Sequence, residues 1–217
     1  MFAHQDGVSV AVSYGSAAGE LAACVSAAGL TDCSAMTKLE LSGPASTISR
    51  VTARVTGTSI APGGALHAAG AWWCRLVGEQ AIVLGEPGAG KRLLGQLRAH
   101  GVQQPDLQVA DRSGDWGLLA VVGRRTADVL RALGVYGEAG DPRATPPFCD
   151  RAVGGVRALW LLESDHRAMA LVDRGQAAEA WRAIERSGRQ LGLCCVGSEA
   201  ASRYTLLQRR RVPASPG

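Results

Sequence analysis

Lysine is almost missing from this chain. Only Lys38 and Lys91 occur, so 21 of the 23 cationic side chains are arginine. Aromatic residues are scarce too, at 5% of the chain. A nucleic-acid-binding protein is expected to carry a basic stripe through its fold, with aromatics between the charges. Here the net charge of +4 gathers instead at the end, where Arg209, Arg210 and Arg211 stand beside Pro213 and Pro216. We read residues 209–217 as a basic flexible tail and expect no nucleic-acid partner.

Long apolar runs are also lacking. No stretch reaches the roughly 20 residues that cross a bilayer, so no membrane partner is expected. The opening MFAHQDGVSV has neither a basic n-region nor an apolar h-region, which argues against a signal peptide and for a cytoplasmic protein. Metal-ligand spacing is absent. The six cysteines (Cys24, Cys33, Cys74, Cys149, Cys194 and Cys195) form no C-x-x-C pair. The four histidines (His4, His67, His100 and His166) form no H-x-x-x-H or H-x-x-E. No metal site is expected. Apolar neighbours around Cys24, Cys74 and Cys194 suggest small buried thiols, and no local Cys/His signature marks a nucleophile.

What is present suffices for a sizeable core. The chain has 217 residues, 47% hydrophobic and 19% charged. At roughly 150 residues per domain that is one large domain or two small ones. Alternation and turn residues predict strands at 8–13, 38–42, 71–76, 81–84, 117–122, 156–162 and 168–172. Helices are expected at 17–28, 45–55, 91–100, 125–133 and 176–187, and a last one after Gly197. Residues 61–70 read as a loop, and 137–147 (GEAGDPRATPP) as a linker between lobes at about 1–136 and 148–208. Strands and helices alternate without one clear β-α-β series, an α+β or α/β pattern.

The chain contains an internal repeat. Asp32-Cys33-Ser34 precedes a strand, Gly43 and a helix; Asp111-Arg112-Ser113, 79 residues later, precedes a strand, Gly123 and a helix. Two copies suggest a pseudo-symmetric pair of sheet-and-helix lobes. Asp32 and Asp111 read most simply as turn residues that bond their own backbone.

Gly85 to Arg92 reads GEPGAGKR and fits the G-x-x-x-x-G-K spacing of a phosphate-binding loop after a strand and before a helix. The hydroxyl that such a loop offers to Mg²⁺ is replaced by Arg92. A plain Gly/Pro turn is the simpler reading, and a P-loop-like phosphate-binding protein is the outside alternative.

A resemblance rests on phrases in a fixed order. GLTDCSAMTKLELSGPA at Gly29 to Ala45 resembles the opening phrase of the glycine-cleavage T-protein (aminomethyltransferase) superfamily. DRSGDWGLLAVVG at Asp111 to Gly123 is similar to its second phrase, with Arg124 in place of a proline. LLESDH at Leu161 to His166 is similar to its T-G-E-D-G turn, and Trp181, Gly188, Gly192 and the helix Gly197 to Leu207 to its closing segment. The likeness covers about residues 8–208. It implies an α+β fold of pseudo-duplicated ferredoxin-like lobes of the folate-binding type, without the C-terminal barrel lobe, close in length to the sarcosine oxidase gamma subunit.

The resemblance also implies a ligand and a site. The cofactor would be tetrahydrofolate or 5,10-methylene-tetrahydrofolate, with an amine or other one-carbon acceptor, or else a larger protein partner to which this chain is a non-catalytic subunit. Glu163 aligns with the family's pterin-binding Glu, and Arg203 with an Arg that could pair with folate carboxylates. Trp72 and Trp73 could wall the pocket. The family's Asp ahead of this strand is missing, because Ala68-Ala69-Gly70-Ala71 stands there. The catalytic group is therefore unassigned, with Asp165 and His166 as candidates.

Overall fold

The computed structural model describes residues 1–5, 8–101, 105–136 and 142–211. The first half of the chain runs β1 (Phe2–Gln5), β2 (Val8–Ala11), α1 (Ala17–Ser26), β3 (Ala28–Asp32), β4 (Thr37–Ser42), α2 (Ala45–Thr56), β5 (Ala65–Ala68), β6 (Ala71–Arg75), β7 (Gln80–Gly85) and α3 (Gly90–Gly101). The second half runs β8 (Gln108–Asp111), β9 (Trp116–Val122), α4 (Thr126–Ala132), β10 (Phe148–Asp150), β11 (Leu159–Ser164), β12 (Arg167–Asp173), α5 (Ala177–Gly188), β13 (Leu193–Cys195) and α6 (Ser198–Arg211).

Two sheets carry the fold. One has the order β5-β6-β7-β4-β8, the other β10-β11-β12-β9-β3-β13. In the first, the unit β4-α2-β6-β7-α3-β8 places its four main strands as β6-β7-β4-β8, a ferredoxin-like arrangement. The second repeats the order as β11-β12-β9-β3, but its fourth position is filled by β3 from the start of the chain. The lobes are therefore not the sequence halves expected on either side of 137–147. β3 and β9 precede that stretch, yet they pair with each other and β9 with β12. Residues 137–141 of the expected linker, and 212–217 of the expected tail, lie outside the described residues; the backbone of 209–211 continues α6.

Strand alternation sorts the side chains into three cores. Leu39, Leu41, Trp73 and Val83 point to α2 and α3, where they meet Ile48, Val51, Leu93 and Leu97. Leu119, Val121, Ala168 and Ala170 point to α4 and α5 on the far side of the other sheet. Between the two sheets lies a third core of Cys74, Ile82 and Leu84 against Leu118, Met169 and Leu171, joined by Ala200 and Tyr204 of α6.

The two D-x-S turns are the points where the chain crosses between sheets. β3 leads into β4 through Asp32-Cys33-Ser34, and β8 into β9 through Asp111-Arg112-Ser113. In each, the Asp carboxylate accepts from the Ser backbone N–H, at 2.8 Å for Ser34 and 2.9 Å for Ser113. Each serine then reaches the other copy's strand. Ser34 Oγ accepts from Leu118 N–H at 3.0 Å, and Ser113 Oγ accepts from Lys38 N–H at 2.9 Å. The backbone repeats the exchange, from Cys33 N–H to Leu118 O and from Arg112 N–H to Lys38 O. After each crossing strand stands a glycine with positive φ, Gly43 at 154° and Gly123 at 141°. A Cβ at Gly123 would lie 2.7 Å from Ala27 O, so no larger residue fits.

Strands β1, β3, β5, β8, β10 and β13 were not expected. They are three to five residues long, so their alternation is too short to register.

Ser34→Ala leaves the buried Leu118 N–H without an acceptor and is expected to cost about 1–3 kcal/mol. Ser113→Ala, at a half-exposed position, is expected to cost about 1 kcal/mol or less. Urea unfolding checks both; equal, negligible losses would contradict the reciprocal lock.

Candidate functional site

A cavity of about 640 Å³ opens between the sheets. Its walls come from β2 (Val10), the first crossing turn (Asp32, Cys33, Met36), β5 and β6 (His67, Trp72), the loop after β7 (Glu86, Pro87), β11 and β12 (Glu163, Arg167, Met169) and α6 (Ser198, Ser202, Leu206). That size suits a small organic ligand.

Local structure aims these side chains. In the β11–β12 hairpin, Leu162 pairs with Ala168 and Ser164 with Arg167, so the register shifts at Glu163, the extra residue of a bulge. A bulge bends its strand and re-aims a side chain. Glu163 is thereby held in the cavity wall with 12% of its side chain exposed, and Arg167 Nε lies 3.2 Å from its Oε2. The contact is an ion pair without an aligned hydrogen bond. Arg167 is anchored on its other side by Thr205, whose Oγ1 accepts from Nη1 at 3.0 Å.

On the facing sheet Trp72 and His67 are cross-strand partners, their rings 5.2 Å apart and edge-to-face. The turn joining their strands is Ala69-Gly70, with φ of 51° and 72°. Two positive φ values in a two-residue hairpin mark a type I′ turn, for which Ala69 is a poor residue. Arg92 braces the turn, donating from Nη1 to Ala69 O at 3.0 Å.

Two buried charges hold the remaining walls. Lys38 is fully buried, and its Nζ donates to Ser34 O at 2.7 Å and Met36 O at 2.8 Å, which fixes the turn carrying Cys33 and Met36. Glu20 on α1 accepts from Ser13 Oγ at 2.7 Å, Tyr14 N–H at 2.7 Å and Gly15 N–H at 3.1 Å, and through its other oxygen from Gly197 N–H at 2.7 Å. It ties the segment after β2 to the start of α6. Burial pushes its carboxyl up, but the donors from Gly197, Ser13, Tyr14 and Gly15 outweigh that and hold it below the ordinary value. Burial raises the Cys33 thiol, and Cys24, Cys74, Cys149, Cys194 and Cys195 are raised too, also chiefly by burial. A raised thiol is a poor nucleophile at neutral pH.

Of the residues singled out from the sequence, the structure brings Glu163 and Trp72 to one cavity. Trp73 does not join them: alternation turns it to the α2/α3 core, where it is 1% exposed and its Nε1 donates to Ala68 O at 3.0 Å. Arg203 stands outside the cavity lining, 58% exposed and paired with Glu199 at 2.6 Å. Asp165 is exposed on the hairpin turn, and His166 packs against Tyr204 with Nδ1 3.5 Å from its hydroxyl; neither lines the cavity. Arg167, His67 and Cys33 line it unannounced. Arg167 could have been found from its i+4 spacing to Glu163 across the β11–β12 hairpin turn.

The phosphate-loop alternative fails on topology. β7 lies between β4 and β6 and is antiparallel to both, whereas a phosphate loop follows a strand of a parallel sheet. The Ala89 amide is spent on Glu86 O at 3.1 Å, and Arg92 turns to the β5–β6 hairpin. Among the described residues no group of three His, Cys, Asp or Glu could hold a metal ion. No described helix is long and apolar enough to cross a membrane.

Two outcomes test these supports. Ala69→Asn relieves the turn and is expected to stabilise by about 0.5–1 kcal/mol in chemical denaturation. Burial pushes the Lys38 ammonium down to about 8 from 10.5. Between those values the unfolded chain holds more protons, so this group's cost is full below about pH 8 and is relieved as pH rises to 10.5. The melting-temperature gap between wild type and Lys38→Met is expected to move in favour of wild type across that window. A flat gap would contradict a charged, buried Lys38.

No protein-family model and no curated protein sequence matches the chain. Solved structures do. The glycine cleavage system aminomethyltransferase T from Bartonella henselae superposes with a TM-score of 0.73 at 16% identity, over 95% of this chain and 58% of that one. The chain thus spans little more than half of that protein's length. A chain of the heterotetrameric sarcosine oxidase from Corynebacterium sp. U-96, in complex with pyrrole 2-carboxylate, superposes with a TM-score of 0.65 at 21% identity, over 81% of this chain and 92% of that one. The duplicated, strand-exchanged α+β architecture of this chain is therefore the fold of the aminomethyltransferase T-protein, the one that its sequence phrases resemble.

Proposed function

We propose that this chain binds a reduced folate, tetrahydrofolate or 5,10-methylene-tetrahydrofolate, and takes part in cytoplasmic one-carbon (methylene or aminomethyl) transfer to an amine or other acceptor. The observation that carries the reading is the bulged Glu163 in the cavity wall, braced by Arg167, with Trp72 lining the same cavity from the other sheet. A pterin edge offers two adjacent N–H donors, and a carboxylate takes both at once. The cavity's 640 Å³ and its mixed aromatic and polar lining fit such a group. When bound, a reduced folate supplies the nitrogens that carry the one-carbon unit. Glu163 orients the ring, and Trp72 walls its face. No carboxylate stands on the Ala69-Gly70 turn, so the contribution of these residues is positioning rather than proton transfer. The six free cysteines suit a reducing compartment.

A second reading has its own support. The alanines in place of the family's Asp, and the match over 92% of a sarcosine oxidase chain, favour a non-catalytic subunit docked on a larger protein. Phe2, Tyr14, Val25, Leu206 and Leu207 expose apolar surface that such a partner could cover. A chain that is stable and monodisperse alone by light scattering would count against it.

Thermal-shift titration tests the folate reading. At a hundredfold excess over Kd, tetrahydrofolate or its methylene form is expected to raise the melting temperature by about 5–10 °C. Mg-ATP is expected to leave it unchanged, and Glu163→Ala to abolish the folate shift. A folate shift that survives in Glu163→Ala would contradict the role given to this carboxylate.

A further inference from the structure

Arg167 sits in the cavity wall beside Glu163, and its guanidinium is fixed at two points. Nη1 donates to Thr205 Oγ1 at 3.0 Å, and Nε lies 3.2 Å from Glu163 Oε2. Its remaining amino group, Nη2, has the Met169 thioether at 3.9 Å, a weak acceptor. The side chain is 21% exposed and lines the cavity. A carboxylate that only accepts thus stands next to a held guanidinium with donor capacity to spare.

The edge of a 2-amino-4-oxo pterin carries three groups in a row: the 2-amino donor, the N3–H donor and the 4-oxo acceptor. We propose that Arg167 is a specificity-determining residue, donating to the 4-oxo group while Glu163 accepts from the two N–H groups, so that the site selects 4-oxo pterins over 2,4-diamino pterins. This rests on the folate reading above. In a 2,4-diamino ring the 4-position is itself a donor and N3 an acceptor. A donor set against the guanidinium leaves both without a partner in a wall where Arg167 is only 21% and Glu163 12% exposed, and the N3 lone pair faces the carboxylate. The pair reads both signs of the edge, whereas Glu163 alone reads one.

Isothermal titration with tetrahydrofolate and with 4-amino-4-deoxy-tetrahydrofolate, which differ at the 4-position, tests the assignment. Wild type is expected to bind the 4-oxo ligand at least about 10-fold more tightly, the worth of one hydrogen bond to a charged group. Arg167→Met keeps the apolar stem and removes the donors; discrimination should then fall several-fold, to the share that Glu163 sets at N3. Thr205→Val unpins Nη1 without touching the charge, and should lower discrimination part of the way. It serves as the test if Arg167→Met does not fold. Equal binding of the two ligands by wild type, or discrimination that persists unchanged in the variants, overturns the role of Arg167 and leaves folate binding standing. Binding of neither ligand by wild type overturns the folate reading itself, and this inference with it.

Discussion

The fold depends on a reciprocal exchange at two chain crossings. The sheet built on β4 is completed by β8, the strand that leads into the second crossing turn, and the sheet built on β9 by β3, the strand that leads into the first. Such a swap needs the crossing segments pinned, because a slip by one residue would turn every side chain of the strand to the wrong face. The pins are Ser34 Oγ on Leu118 N–H and Ser113 Oγ on Lys38 N–H, with the matching backbone bonds beside them. A two-residue Asx turn aims each serine. Glycines with positive φ let the chain leave each crossing strand against neighbouring backbone. The hydrophobic core between the sheets can form only once the two crossings are in register.

The cavity is a consequence of that geometry. The inner faces of the two sheets meet in a shared core, and the cavity opens beside it with α6 along one wall. Its walls are held by charges taken out of water. Burying Lys38 carries a cost, which the two carbonyls it satisfies offset by fixing the first crossing turn. Glu20 does the same between the segment after β2 and the start of α6. The bulge at Glu163 then adds one carboxylate at a chosen point, and Arg167 keeps it in place. A site built this way is set by the backbone before any ligand arrives.

Much of this could be read from residues alone. The D-x-S repeat announced the duplication, and alternation at Lys38 to Ser42 and the apolar run at 117–122 marked the central strands. The role of each Asp as a turn residue is what its bond to Ser34 or Ser113 shows. What the repeat did not carry was the exchange. β3 and β8 have five and four residues, and their pairing with the other copy depends on contacts distant in sequence. A division at 137–147 followed from proline and glycine, which report local chain direction and nothing about strand partners. The same limit governed the site. Alternation puts Trp72 and Trp73 on opposite faces of a strand, but only the packing of the two sheets decides which of them meets the cavity. Arg203 and His166 lay near the right motifs, but the helix phase and the hairpin turn carry them away from the cavity. Glu163 meets Arg167 across a hairpin whose bulge no spacing rule forecasts.

The central claim is that the cavity between the sheets takes a pterin by its amino edge at Glu163. A crystal structure of the full chain grown with tetrahydrofolate tests it most directly. The account predicts a ring beside Trp72, with two of its nitrogens within hydrogen-bond distance of the Glu163 carboxylate. A folate bound elsewhere on the molecule, or a cavity that holds only water at saturating ligand, would contradict it.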